Sequence, residues 1–187
     1  MELNKVENID LEILLVMNSK KPLEDLWPNI KYLHEPKLGL STARNKAIEY
    51  CLENKREWLV LLDDDTWAEK NWLENFIKAI KKKYYQERNS FYPNIFQGQV
   101  EFIYEGEIPF WAKTKNLAHE SLLTKACTNN VMFNLSICSN GLKFDEAYNH
   151  TGGEDIDFFS RAYENGEKII YINDAKISEI VPRERIS

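Results

Sequence analysis

Apolar residues along this chain gather in short runs, and the runs alternate with stretches whose apolar positions recur at helical spacing. Leu11 to Met17 and Trp58 to Leu62 are rich in Leu, Val, Met and Trp and too short for buried helices, so they predict strands. Lys31 to His34 predicts another short strand, followed by a turn at Glu35-Pro36. Ala43, Ala47, Ile48 and Cys51 share one helical face, which predicts a helix from an N-cap at Ser41 to about Lys55. Thr66 and Glu69 form a Thr-x-x-Glu capping box and predict a second helix through about Tyr85. Strands alternating with helices in this way imply a parallel or mostly parallel sheet.

The second half is less regular. Ile95 to Tyr104 predicts a strand, Gly106 to Trp111 a loop, and Asn130 to Asn134 a short strand. Thr151 and Glu154 make another capping box, opening a helix that ends near Asn165-Gly166. Lys168 to Ile172 and Lys176 to Val181 predict two closing strands. The sheet is therefore expected to be parallel at first and mixed later.

At 187 residues the chain is long enough for one domain with a proper core and short for two, so 1–187 reads as a single domain. The net charge of −6 argues against a dedicated nucleic-acid binder. Lys78 to Lys83 carries four lysines, read as the solvated face of a helix. Cys51, Cys127 and Cys138 cannot all pair and have no metal-ligand spacing. All three lie in or beside apolar stretches, where a thiol acts as a small core residue. The first residues, Met1-Glu2-Leu3-Asn4, are unlike a secretory signal, and no apolar run nears the ~20 residues needed to span a bilayer. A reducing, cytoplasmic compartment is the expectation.

Chemistry concentrates in two places. Asp63-Asp64-Asp65 follow directly on the apolar run ending at Leu62, where open α/β sheets place their ligands. Three adjacent carboxylates repel one another and invite a cation, and oxygen-only donors suit Mg²⁺ or Mn²⁺ arriving with a phosphate-bearing partner. The bland alternative is a solvated turn. The second place is Thr151-Gly152-Gly153-Glu154-Asp155-Ile156-Asp157. Two glycines let backbone approach a ligand closely, and the positive end of a helix favours the carboxylates that follow. An ionised carboxylate facing a hydroxyl serves as a general base. Glu154 reads equally as a cap or a functional acid, while Asp155 is favoured as functional. Arg44 sits in the first turn of the helix after Gly39 and offers bidentate donors suited to phosphate, though a surface arginine fits as well. Trp111 suits stacking on a sugar ring or simple packing. His34, His119 and His150 have no ligand spacing between them.

Taken in order, these segments resemble the family-two glycosyltransferases. The resemblance rests on Gly39-Leu40-Ser41-Thr42-Ala43-Arg44-Asn45, on the strand running into Asp63-Asp64-Asp65, and on Trp72-Leu73 after it. It continues through Pro109 and Trp111, Thr128 to Phe133, Phe144-Asp145-Glu146, Gly152-Gly153-Glu154-Asp155, and the tail from Glu179 to Arg185. It implies a GT-A fold: a Rossmann-like mixed α/β sheet flanked by helices. It also implies a metal-dependent, inverting transfer from a nucleotide-sugar donor to a hydroxyl of a glycan or lipid-linked acceptor in polysaccharide or cell-envelope synthesis. Asp65 and Asp63 would hold Mn²⁺ or Mg²⁺, and Gly39, Arg44, Asp63 and Asp64 would line the nucleotide-sugar site. Asp155, with Glu154 beside it, would deprotonate the acceptor, and Trp111 and Gly153 would lie on the acceptor side.

Relatives of this kind begin with a strand and helix before the region matched by Leu11 to Met17, and many hold an Asp where Met17-Asn18 stand here. The expectation is a domain clipped at its start and at its end beyond Arg185, with an uncovered strand edge. It further implies a partner chain supplying the missing strand and helix, and peripheral membrane association through the acceptor. Two competing readings are an incompetent fragment acting as a binding module or half of a split transferase, and a phosphatase. The phosphatase reading uses Asp63-x-Asp65-Thr66 as its nucleophile loop but has Trp67 where Thr or Val is wanted.

Overall fold

Strands form where the apolar runs predict them, and the order of elements alternates as expected. The computed structural model describes residues 9–22, 27–86, 93–105 and 117–185. In chain order they are β1 (Leu14–Asn18), β2 (Lys31–Glu35), α1 (Leu40–Glu53), β3 (Trp58–Leu62), β4 (Thr66–Ala68) and α2 (Trp72–Gln86). Then come β5 (Ile95–Tyr104), β6 (Leu122–Leu123), β7 (Asn130–Asn134), α3 (Glu154–Glu164) and β8 (Ile169–Val181), with short 3-10 turns at Leu135–Cys138, Glu146–Tyr148 and Arg183–Arg185. The chain divides into two compact units, Met1–Leu59 with Asn134–Gly166, and Val60–Phe133 with Glu167–Ser187.

In the first unit β1 and β2 pair in parallel, Leu14 opposite Lys31 through Asn18 opposite Glu35. Asn18 ends β1 and fastens the segment between β2 and α1. Its amide nitrogen donates to the carbonyls of Glu35 and Lys37, at 3.0 and 2.8 Å, and its oxygen accepts from the Gly39 N–H at 2.8 Å. The chain is thereby turned straight into α1. That helix buries Ala47, Ile48 and Cys51, whereas Ala43 is half-buried. In α3, Phe158, Phe159 and Ala162 are fully buried, and Phe158 stacks on Phe144 with ring centres 4.1 Å apart.

The second unit carries most of a six-stranded mixed sheet in the order β3-β7-β5-β8-β4, with β6 paired to β8. β5 is antiparallel to β7 and parallel to β8, while β4 and β6 run antiparallel to β8. Beside this sheet lies α2, whose Phe76 and Ile77 are buried. Its exposed lysines, Lys78, Lys81 and Lys82, behave as the solvated face expected of them.

Three expectations need correction. Thr66 does not cap a helix: Thr66–Ala68 forms β4, Thr66 opposite Glu179 and Ala68 opposite Ile177, and α2 begins only at Trp72. The Thr66 hydroxyl donates instead to the Asp63 carbonyl at 2.7 Å, and Glu69 accepts from the Ser178 hydroxyl at 3.1 Å. The two closing strands are one, β8, which carries an irregularity where Gly98 pairs with Ile172 and Gln99 with Lys176. The three extra residues are held by polar contacts: Asn173 with His119 Nδ1 at 2.6 Å, Asp174 O with the Asn75 amide at 2.6 Å, and Ala175 O with the Asn130 amide at 2.8 Å. Cys127 is exposed, unlike the buried Cys51 and Cys138. The short strand β6 carries no periodic signal in two residues. The predicted Gly106 to Trp111 loop lies outside the described residues.

Asn130 is the polar centre of this unit. It is fully buried, donates to the Gln99 and Ala175 carbonyls at 2.8 Å each, and accepts from the Trp72 indole N–H at 2.8 Å. Removing its side chain leaves those groups without partners, each costing about 1–3 kcal/mol. Asn130→Ala is expected to lower stability by ~3 kcal/mol, read as a reduced midpoint in urea unfolding with an unchanged slope. Thiol chemistry checks the cysteines. Burial pushes the Cys138 thiol up to about 12 and raises that of Cys51, so both are held back from the reactive thiolate form. Mass spectrometry after brief iodoacetamide treatment of the folded protein should find Cys127 alkylated and the other two intact.

Candidate active site

The aspartate triplet occupies the turn between β3 and β4. Asp63 is half-buried, and Asp64 and Asp65 are exposed. The turn is closed by the Thr66 hydroxyl on the Asp63 carbonyl and by the pairing of β4 with β8. The apolar strand delivers the carboxylates and the polar clasp keeps them at its end. Among the described residues, no three His, Cys, Asp or Glu side chains converge as a ready-made metal cage. The donor chemistry here is carboxylate oxygen supplied by neighbouring residues of one turn. That fits Mg²⁺ or Mn²⁺, which bind through one or two carboxylates plus phosphate oxygens, and does not fit a cation needing an all-protein cage.

The second set of residues lies in the first unit and is built on α1. Its N-cap is Gly39, at φ 140°, and no side chain caps the helix. Ser41, expected as the cap, is fully buried and donates its hydroxyl to the Asp145 carbonyl at 2.8 Å. Asn45 is buried and holds Phe144 twice, donating to its carbonyl at 2.9 Å and accepting from its N–H at 2.8 Å. Asn149 accepts from the Thr42 N–H at 3.2 Å and donates to the Thr42 hydroxyl at 2.8 Å. One polar face of α1 thus fixes the whole stretch from Phe144 to Asn149.

That stretch leads through Gly152 and Gly153, at φ 72° and 91°, into α3. Such left-handed backbone suits glycine and turns the chain within two residues. Thr151 does not cap α3: the N-cap is Gly153, which has no side chain to cap with, and the Thr151 hydroxyl turns to the Gly152 carbonyl. Nor is Glu154 part of a capping box: it is buried and paired with Arg44. Asp157 pairs with Arg161, whose Nε and Nη2 donate at 3.0 and 2.6 Å. Asp155 is half-buried, and its carboxylate accepts from the neighbouring Ile156 N–H at 2.7 Å.

The structure therefore brings Gly39, Arg44, Gly153, Glu154 and Asp155 into one unit, and places Asp63, Asp64 and Asp65 together in the other. Trp111 lies outside the described residues. Sequence reasoning gave no role to Asn45, Asn149 or Asn130. A polar stripe at positions 41, 42 and 45, beside the apolar positions Ala47, Ile48 and Cys51, was the available signal for the first.

Comparison with known proteins bears on this arrangement. The model of a family described as "Glycosyl transferase family 2" matches residues 3–142. The succinoglycan biosynthesis protein ExoM of Rhizobium meliloti (strain 1021) is 26% identical over 201 residues, covering 99% of this chain. The chain spans 62% of that relative's length. A crystal structure of GalNAc-T7 with UDP, GalNAc and Mn²⁺ superposes with a TM-score of 0.66 at 15% identity, covering 93% of this chain and 38% of that one. The likeness establishes the expected GT-A fold.

A β-carbon on Gly39 would stand 2.1 Å from Asn149 Cγ. Gly39→Ala therefore displaces Asn149 from Thr42 and strains the backbone as well. It should lower stability by about 1–3 kcal/mol, the usual cost of overpacking, measured as a fall in the thermal midpoint.

Proposed function

Because the chain belongs to glycosyl transferase family 2, we propose that it moves a sugar from a nucleotide-sugar donor to a hydroxyl of a growing polysaccharide, with a divalent metal and with inversion. The observation that carries this reading is the turn of three carboxylates closing β3. Asp63 and Asp65 are the protein ligands for Mn²⁺ or Mg²⁺, with Asp64 and Gly39 beside the nucleotide sugar. A cation bound there with the diphosphate neutralises the charge that grows on the departing nucleoside diphosphate. That GalNAc-T7 was crystallised with UDP and Mn²⁺ supports the choice of ligands, and the succinoglycan role of ExoM supports a polysaccharide product.

Asp155 takes the proton of the acceptor hydroxyl. The pairing pattern in the first turn of α3 supports this choice, since Glu154 is engaged by Arg44 and Asp157 by Arg161. Attack by the hydroxyl on the face opposite the leaving group inverts the anomeric centre, as in two-sided glycosidase chemistry. Gly153 brings backbone close to the acceptor, and Trp111 offers a stacking face. A cytoplasmic setting agrees with three cysteines outside any disulfide. Among the described residues no helix is long and apolar enough to cross a membrane.

Titration with Mn²⁺ and a panel of nucleoside diphosphates tests the donor half. The parent chain should bind one of them in a metal-dependent way, and Asp65→Ala should abolish the dependence; equal affinities in the two would refute the metal assignment. Asp155→Asn should reduce sugar transfer by roughly 10²–10⁴-fold with donor affinity little changed, the usual worth of a general base.

A further inference from the structure

Arg44 and Glu154 lie 110 residues apart in sequence and form the most buried ion pair among the described residues, their side chains retaining 14% and 5% of full exposure. The guanidinium carbon also stands 5.7 Å from the centre of the Phe144 ring, and Phe144 in turn stacks on Phe158 of α3. Glu154 presents one oxygen to Arg44. Its other oxygen, Oε2, is buried and has no hydrogen-bond partner among the described residues. A carboxylate so enclosed depends on its one cation, because a buried charge left uncompensated is strongly destabilising. Glu154 is also the first residue of α3, and Asp155 is the second. Whatever fixes Glu154 therefore fixes the backbone that carries Asp155.

We propose that Arg44 is a positioning residue for the start of α3: through Glu154 and Phe144 it holds Asp155 in its working place, and its contribution to transfer runs by that route and not by contact with the donor. The proposal rests on the reading of Asp155 as the base. A guanidinium that is mostly buried, faces a carboxylate and lies over an aromatic ring is already committed on two sides. The Nη1 donor that meets Glu154 is not open to a donor diphosphate while that pair holds.

Amide hydrogen exchange followed by mass spectrometry tests the route without requiring turnover. In Arg44→Gln, peptides spanning 152–158 should exchange roughly tenfold faster or more, as expected for losing a charged, buried hydrogen bond. Peptides from α2, β5 and β8 should keep the parent rates. Arg44→Lys retains the charge without the planar fork and should show the same pattern at smaller amplitude; it also carries the comparison should Arg44→Gln fail to fold. Unchanged exchange at 152–158 would overturn the proposal, and so would uniform acceleration over the whole chain, which marks a general loss of stability. Titration with Mn²⁺ and UDP adds an independent arm. Affinity within about twofold of the parent agrees with positioning, and a tenfold loss that Arg44→Lys restores would show Arg44 to be a donor ligand. A parent chain that transfers no sugar from any donor would count against the transferase reading, while the exchange pattern still decides the role of Arg44.

Discussion

The polar face of α1 is the constraint on which the candidate acceptor side depends. Ser41, Thr42 and Asn45 are buried, and their polar atoms are satisfied by the segment from Phe144 to Asn149. A buried polar group without a partner costs about 1–3 kcal/mol, against a total stability of only about 5–15 kcal/mol. The helix and that segment therefore cannot part without exposing several such groups at once. The stretch through Gly152 and Gly153 inherits its position from this clasp, and Arg44 extends it to the first residue of α3. The start of α3 is thus anchored by hydrogen bonds made many residues away.

The second unit solves a different problem. Three carboxylates follow the end of an apolar strand, and a very short strand, β4, returns the chain to β8 directly after them. The irregularity in β8 next to Gly98 and Gln99 would leave backbone groups unsatisfied. Asn130 and Asn75 take up two of those carbonyls, and Trp72, just after the turn, completes the shell of Asn130. The residues Trp72-Leu73 thus tie α2 to the sheet close in sequence to the carboxylates.

Much of this was legible in the sequence because the signals are local. The run Trp58 to Leu62 into Asp63 gave the strand and its carboxylates, Ile95 to Tyr104 and Asn130 to Asn134 gave strands with the same bounds, and Gly152-Gly153 marked the start of α3. What escaped was decided at long range. Ser41 has the chemistry of an N-cap, yet its hydroxyl goes to a carbonyl 104 residues away. Thr66 and Glu69 have the spacing of a capping box, but three residues between a turn and α2 are captured by β8. Asn173 and Asp174 fall between the two strands expected at Lys168 to Ile172 and Lys176 to Val181, and cross-strand partners let one strand run through them. At the candidate site the acidic residues were visible and their pairings were not. Nothing local says that Glu154 meets Arg44 while Asp157 meets Arg161.

The donor side of the proposed reaction rests on the carboxylates closing β3 and on their capacity to hold a divalent metal with a diphosphate. Anomalous diffraction at the manganese edge, from crystals grown with Mn²⁺ and a nucleoside diphosphate, tests it most directly. One strong peak is expected within coordination distance, about 2.0–2.2 Å, of a carboxylate oxygen of Asp63 or Asp65 and of the diphosphate oxygens. A fully occupied Mn²⁺–diphosphate site elsewhere on the chain, with that turn bare, would contradict it.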